Sequence, residues 1–402
     1  MDDLYIPLAT LTGFIFCYSL IAKRIENSFI SGPMVYTTVG LFCGSWGLGL
    51  FGLDATSNDL RMLADMTLAL VLFSDAANAN LSVLKRQIQI PSRMLFIGLP
   101  AAIVLGFIIA ACLFEQLSLL EAAILATMLA ATDAALGKAV ITNQQVPARI
   151  REVLNAESGL NDGLYVPILL LLIALTVNSQ GGAHEDTQAL LLVAEELGIG
   201  LIVDLSLAFV GSQFLKMSMM HAYLSEVWGQ ITVVALAITC FAIAQEFHGS
   251  GYIASFSGGL LFGYLTKEKA HHLIIGTESA AEVLALLTWV LFGAAVIVGL
   301  LDLISWQVVV YALLSLTVIR MLPIFLAFTG SDVSTFSRLF MDWFGPRGLA
   351  SLVFFIIVMD SGIEGGRFIA LVVITTVLLS LILHGITAKP LAQWLSKKEQ
   401  EL

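Results

Sequence analysis

Between Glu152 and Val177 the chain reads EVLNAESGLNDGLYVPILLLLIALTV, nearly all aliphatic in its second half, with Glu157, Asn161 and Asp162 in its first. About 20 apolar residues in a helix cross the hydrocarbon core of a bilayer, so the run is long enough to span one. The carboxyl groups it carries along are costly at that depth, and ionisable groups kept there are as a rule functional or paired.

The surrounding sequence has the same character. Of 402 residues 58% are hydrophobic and 12% charged, at a mean hydropathy of +0.92, which leaves too little polar surface to cover a soluble globule. The formal net charge of −11 argues against a nucleic-acid partner. Cys17, Cys43, Cys112 and Cys240 all stand in apolar runs without C-x-x-C spacing, so neither a disulfide framework nor a zinc site is expected. Met1-Asp2-Asp3 lacks the basic n-region of a signal peptide, and the first apolar run is therefore read as a span. No Walker-type run occurs and no loop has room for a nucleotide-binding domain, which speaks against an ATP-driven pump.

Thirteen apolar runs are legible, at roughly 4–22, 30–51, 61–79, 93–114, 119–141, 152–177, 189–215, 226–246, 250–266, 277–301, 305–328, 338–359 and 367–388. Basic residues collect in cytoplasmic loops. With these thirteen runs, fourteen of the 19 lysines and arginines, Lys23, Arg24, Lys85, Arg86 and Arg149 among them, fall in one alternate set of loops, while only Arg61 and Arg367 fall in the other. The expectation is an all-α polytopic protein of about 13 spans in the inner membrane, with the N-terminus outside and the C-terminus cytoplasmic. Residues 391–402 form a short cytoplasmic tail in this reading.

The fifth run enters from outside and reaches Ala131-Thr132-Asp133 after about 13 residues, or roughly 20 Å. The sixth enters from inside and reaches Glu157 to Gly163 after roughly 8 to 15 Å. Both motifs thus approach the midplane from opposite sides. Ser158 and Asp162, four apart, share one helix face, and Glu157 and Asn161 share the neighbouring one. Asp133, Asp162, a hydroxyl and backbone carbonyls can then converge on one small cavity, an oxygen-rich set that suits a hard cation. A carboxylate in low dielectric is relieved by a proton or by a cation, so Asp162 takes one or the other. A purely structural role is the plain alternative for any single Asp, but two such motifs at one depth favour ion handling.

Two internal cations need partners. Arg320 lies about 15 residues into the eleventh run, with Glu157 the candidate to neutralise it. Arg347 lies in Phe344-Gly345-Pro346-Arg347-Gly348, where Gly and Pro interrupt the twelfth run, and irregular backbone at depth needs protein or a cavity beside it. Interrupted spans in matching places of two halves point to a transporter binding site, and runs five and twelve stand in matching places if one to six and eight to thirteen are inverted repeats. Asp75, toward the inner end of the third run, and Glu282, in the tenth, are possible relays. The histidines, among them His184 and His248, lie in or beside loops, with His384 at the inner end of the last run, and are read as ordinary.

At these motifs the chain resembles the monovalent cation:proton antiporter superfamily, in the branch of the bacterial NhaP-type and animal NHE-type exchangers. Ala131-Thr132-Asp133 is similar to the family's A-T-D-P, Glu157 to Gly163 to its E-S-x-x-N-D-G, and Gly345-Pro346-Arg347-Gly348 to its G-x-R-G, with Val318-Ile319-Arg320 and Ser250 to Gly259 in the expected order. Two departures are Ala134 in place of the proline and Asp75 in a region where many relatives place Glu. The resemblance implies an NhaA/NhaP-like fold with two discontinuous helices and a homodimer. It also implies that a core bundle of approximately 93–177 and 305–388 slides as an elevator against scaffold helices of approximately 4–79 and 189–301. It implies Asp162, Asp133, Ser158 and Thr132 as the cation and proton ligands. Asn161 stands where electroneutral members carry it, implying one proton per cation. Na⁺ is expected first, with Li⁺ or K⁺ next; a K⁺/H⁺ antiporter or efflux system is the alternative. A passive channel is disfavoured because no TVGYG-like filter is present. No cofactor and no enzymatic activity are expected.

Overall fold

The computed structural model describes residues 5–26, 28, 30–51, 58–78, 89–141, 143–180, 186–266, 270–295, 297 and 303–400. Asp2, Asp3, Lys85, Arg86 and His184 lie outside the described residues. The helices are α1 Tyr5–Glu26, α2 Gly32–Cys43, α3 Asn58–Asn78, α4 Gln89–Leu113, α5 Leu119–Met128, α6 Ala134–Ile141, α7 Ala148–Gln180, α8 Asp186–Met220, α9 Glu226–Glu246, α10 Gly251–Thr266, α11 Ala270–Ala295, α12 Trp306–Leu316, α13 Val318–Ala327, α14 Thr335–Trp343, α15 Leu349–Asp360 and α16 Gly366–Gln400. No strand occurs among the described residues. Each of the thirteen apolar runs carries a helix or a pair of shorter ones, and among the described residues eight stretches are long and apolar enough to cross a membrane.

Several helices open on a serine whose hydroxyl takes an otherwise orphaned amide of the first turn. Ser118, Ser225, Ser305 and Ser334 do this for α5, α9, α12 and α14. At α5 the cap is reciprocal, with Glu121 accepting from the Ser118 amide at 2.8 Å. Its other oxygen accepts from the Gly365 amide at 2.7 Å and ties α5 to the start of α16.

Without a hydrophobic force between helices in lipid, association depends on close packing and small residues. A Cβ at Gly259 would fall on the Phe73 carbonyl and one at Gly263 on that of Ala77, so α10 lies directly against the α3 backbone. By contacts, α2, α3, α8, α9, α10 and α11 pack among themselves, and α4, α5, α6, α7 and α12 to α16 form a second group. The groups meet where α7 touches α3, α8 and α10, where α15 touches α3 and where α16 touches α2.

Three features depart from the sequence reading. The eleventh run is divided between α12 and α13 at Thr317, whose hydroxyl bonds the Leu313 carbonyl at 2.6 Å and competes with the backbone ladder. In α4 a π-helical segment occupies Met94–Gly98. The last helix runs on past the apolar run at 367–388, as far as Gln400. Ala388, Ala392 and Leu395 pack with Phe340, Met341 and Phe344 of the second broken run. Near the end of α16, Glu399 accepts from the hydroxyls of Ser334 and Ser337 at 2.7 and 2.5 Å. An amphipathic face buried in this way carries a helix past the apolar run that starts it.

Candidate functional site

Residues 129–133 separate α5 from α6, and residues 344–348 separate α14 from α15. The two irregular segments meet. The Asp133 amide donates to the Pro346 carbonyl at 2.8 Å, so one break satisfies a backbone group of the other.

The charges at this crossing follow the helix ends. Arg347 is fully buried, and its guanidinium donates to the carbonyls of Ala130 and Ala131 at 2.8 Å each, just past the C-terminal end of α5. Ser351 takes the Met128 carbonyl there at 3.0 Å. Opposite, Asp133 accepts from the amides of Leu136 at 3.2 Å and Leu349 at 2.5 Å, the first turns of α6 and α15. A cation thus sits at a negative dipole end and an anion at two positive ends. A Cβ at Gly348 would land on the Asp133 carboxylate, so this close approach needs glycine.

Beside the crossing, α7 presents its polar turn. Thr132 donates to Glu157 Oε2 at 3.1 Å, lies 3.1 Å from the Ser158 hydroxyl and accepts from Asn161 Nδ2 at 2.5 Å. Glu157 in turn accepts from both terminal nitrogens of Arg320, at 3.3 and 3.4 Å. All five side chains are buried. The Arg320 guanidinium occupies the space that a Cβ on Gly345 would need, which places it against the second break.

Asp162 lies one helical turn beyond Ser158, 6% exposed, with Asp75, Asp133 and Glu157 close enough to act on it electrostatically. Its Oδ1 is buried without a hydrogen-bond partner among the described residues. An unpartnered buried carboxylate oxygen calls for a proton or a cation. Among the described residues no three His, Cys, Asp or Glu side chains are grouped as a metal site.

A protein-family model described as sodium/hydrogen exchanger, transmembrane, matches residues 11–394. The chain belongs to the sodium/hydrogen exchanger family. It is a family of transporters, not of enzymes. The chain is 24% identical over 372 residues to a probable Na(+)/H(+) antiporter of Schizosaccharomyces pombe, covering 87% of this chain and 48% of that protein. It is 23% identical to the K(+)/H(+) antiporter NhaP of Alkalimonas amylolytica, covering 95% of this chain and 66% of the relative. It thus spans about half of the first relative and just under two thirds of the second. In fold it is similar to the sodium proton antiporter MjNhaP1 of Methanocaldococcus jannaschii, at a TM-score of 0.78 and 21% identity, covering 98% of this chain and 99% of that one. The chain is accordingly a helical, multi-pass membrane protein of that family, with a fold similar to that of MjNhaP1.

The two possible relays separate in the structure. Asp75 packs against α7, its Cβ 3.6 Å from where a Gly159 side chain would begin, within electrostatic range of Asp133 and Asp162. Glu282 is exposed halfway along α11. One turn earlier, Glu278 accepts a hydrogen bond from Asn78 and acts on Asp75. The sequence reading passed over Glu278; its one signal was a position one helical turn before Glu282.

Proposed function

We propose that this chain is a secondary antiporter that exchanges a small monovalent cation for protons, with Asp162 holding one or the other. The observation that carries the reading is the buried, unpartnered Oδ1 of Asp162, one helical turn from Ser158 and within electrostatic range of Asp133. A dehydrated alkali ion needs several oxygens from a small cage, and this turn of α7 with the 129–133 segment offers them. Once neutralised by cation or proton, the site crosses low dielectric at modest cost, whereas the empty anion meets a desolvation penalty that suppresses leak.

In this reading Asp162, Asp133, Ser158 and Thr132 are the ligand set, and Asp75 guides the cation toward it. Glu157, Asn161, Arg320 and Arg347 form the structural network. Residues 93–177 and 305–388 are the moving core and 4–79 with 189–301 the scaffold, as in an elevator. The Arg61 to Asp360 ion pair, 2.7 Å between α3 and the end of α15, crosses that boundary. Asn161 next to Asp162 supports one proton per cation. The protein works as a homodimer in the inner membrane, N-terminus outside. Na⁺ is the first candidate cation; the K(+)/H(+) antiporter among its relatives keeps K⁺ as the second reading.

Purified protein in liposomes, challenged with NaCl, LiCl and KCl in turn, is expected to show saturable, cation-dependent proton flux. In Asp162→Asn that flux is lost while the protein still folds. Normal exchange by this variant would remove the proposed site.

A further inference from the structure

We propose that Ser380 and His384 of α16 are positioning residues for the cation site, acting through both ends of the second helix break; the inference rests on the reading that the two breaks and α7 bind the cation. Neither side chain touches the Asp162 cluster in the contacts above. What they touch is the backbone that carries it.

Ser380 Oγ accepts from the Arg347 amide at 2.7 Å. His384 Nε2 lies 3.0 Å from the Trp343 carbonyl, and facing an acceptor it carries a hydrogen whatever the charge of the ring. Its Nδ1 lies 3.0 Å from the Ser380 carbonyl and 3.2 Å from Ser380 Oγ, and with Nε2 carrying the hydrogen of the neutral ring it is the acceptor for the hydroxyl. A chain of hydrogen bonds thus runs from the Arg347 amide through Ser380 and His384 to Trp343, pinning the last residue of α14 and the fourth of the five that follow. The two side chains are one turn apart on a single face of α16, both buried. The Trp343 ring stacks on His384, 5.0 Å between centroids, and its Nε1 donates to Thr387 Oγ1 at 2.9 Å on the next turn.

The opposite face of the same segment belongs to the site. Pro346 accepts from the Asp133 amide, Arg347 donates to Ala130 and Ala131, and the Leu349 amide donates to Asp133. Residues 344–348 are therefore clamped from two sides, and a shift of the Arg347 backbone moves its guanidinium and the carbonyls next to Thr132. Losing the α16 clamp loosens the cage without removing a ligand. Such a loss weakens cation binding more than it slows turnover.

The test uses the full chain in liposomes, comparing Ser380→Ala, Ser380→Thr, His384→Ala and His384→Gln with wild type and with Asp162→Asn, alongside thermal unfolding of each variant. Ser380→Ala and His384→Ala are expected to raise the apparent KM for Na⁺ between roughly two- and tenfold, the scale of one hydrogen bond, with a smaller change in kcat. Ser380→Thr keeps the hydroxyl and His384→Gln keeps a donor for the Trp343 carbonyl, so both recover toward wild type. The combined Ser380→Ala/His384→Ala variant changes KM by less than the product of the single changes, because both residues act in one chain. If folded Ser380→Ala and His384→Ala proteins both show wild-type KM and differ from wild type only in unfolding temperature, the residues are structural and the inference is overturned. Should Asp162→Asn exchange normally, the underlying ion-site reading fails instead, whatever the α16 variants do.

Discussion

The carboxylate of Asp133 accepts the amide hydrogen of Leu349 at 2.5 Å, so a residue between α5 and α6 caps the first turn of α15, which lies 216 positions further along the chain. The same side chain caps α6 through Leu136. Asp133→Asn retains one acceptor oxygen and turns an amide nitrogen toward the other helix end. This substitution is expected to cost about 1–3 kcal/mol of stability, the range for a charged cap with one bond lost. Thermal unfolding in detergent measures it, and an unfolding temperature equal to wild type would show that the double cap carries no weight.

Glu157 and Arg320 are each almost fully buried and bonded at 3.3 and 3.4 Å. Removing one partner leaves the other charge buried, at a cost of about 3–5 kcal/mol, whereas removing both spares that penalty. Glu157→Ala and Arg320→Ala are expected to destabilise strongly alone and by much less than their sum together. Strict additivity in a double-mutant cycle would reject the coupling.

Gly259 faces the Phe73 carbonyl with no room for a side chain. Gly259→Ala has to push α10 away from α3, and overpacking of this kind costs about 1–3 kcal/mol. The loss is expected in unfolding temperature, with the KM for Na⁺ unchanged, because neither helix supplies a ligand at this contact. An increased KM with normal stability would place α10 in the transport path instead.

If cation and proton take turns on Asp162, protons compete with the cation. As pH falls the proton-bound form grows, and the apparent KM for Na⁺ rises, approaching about tenfold per pH unit where that form dominates. At high pH it flattens. Initial rates of exchange over a series of Na⁺ concentrations and pH values measure this; a KM independent of pH would point to separate sites.

The Glu157 to Asp162 turn and the GPRG stretch of residues 345–348 were legible as a site because charge and helix breakers are conspicuous in an apolar chain. His384 was not. Its spacing from Ser380 and Thr387 marks a shared face, but a histidine near a span end looks the same whether it meets lipid headgroups or the carbonyl of Trp343. Glu278 was passed over for the same reason, since nothing local separates it from Glu282, and only the neighbouring α3 brings Asn78 to it.

By itself the amino-acid sequence determined that this is a helical membrane protein and where most of its helices lie. Apolar runs, basic loops and Gly or Pro breaks are local properties, read by the bilayer as a solvent. The tertiary structure alone decided which helix end each buried charge satisfies, where α16 stops and which residues clamp the second break. Those outcomes depend on partners more than a hundred positions away for Arg347 and Asp133, and no pattern within one segment encodes them.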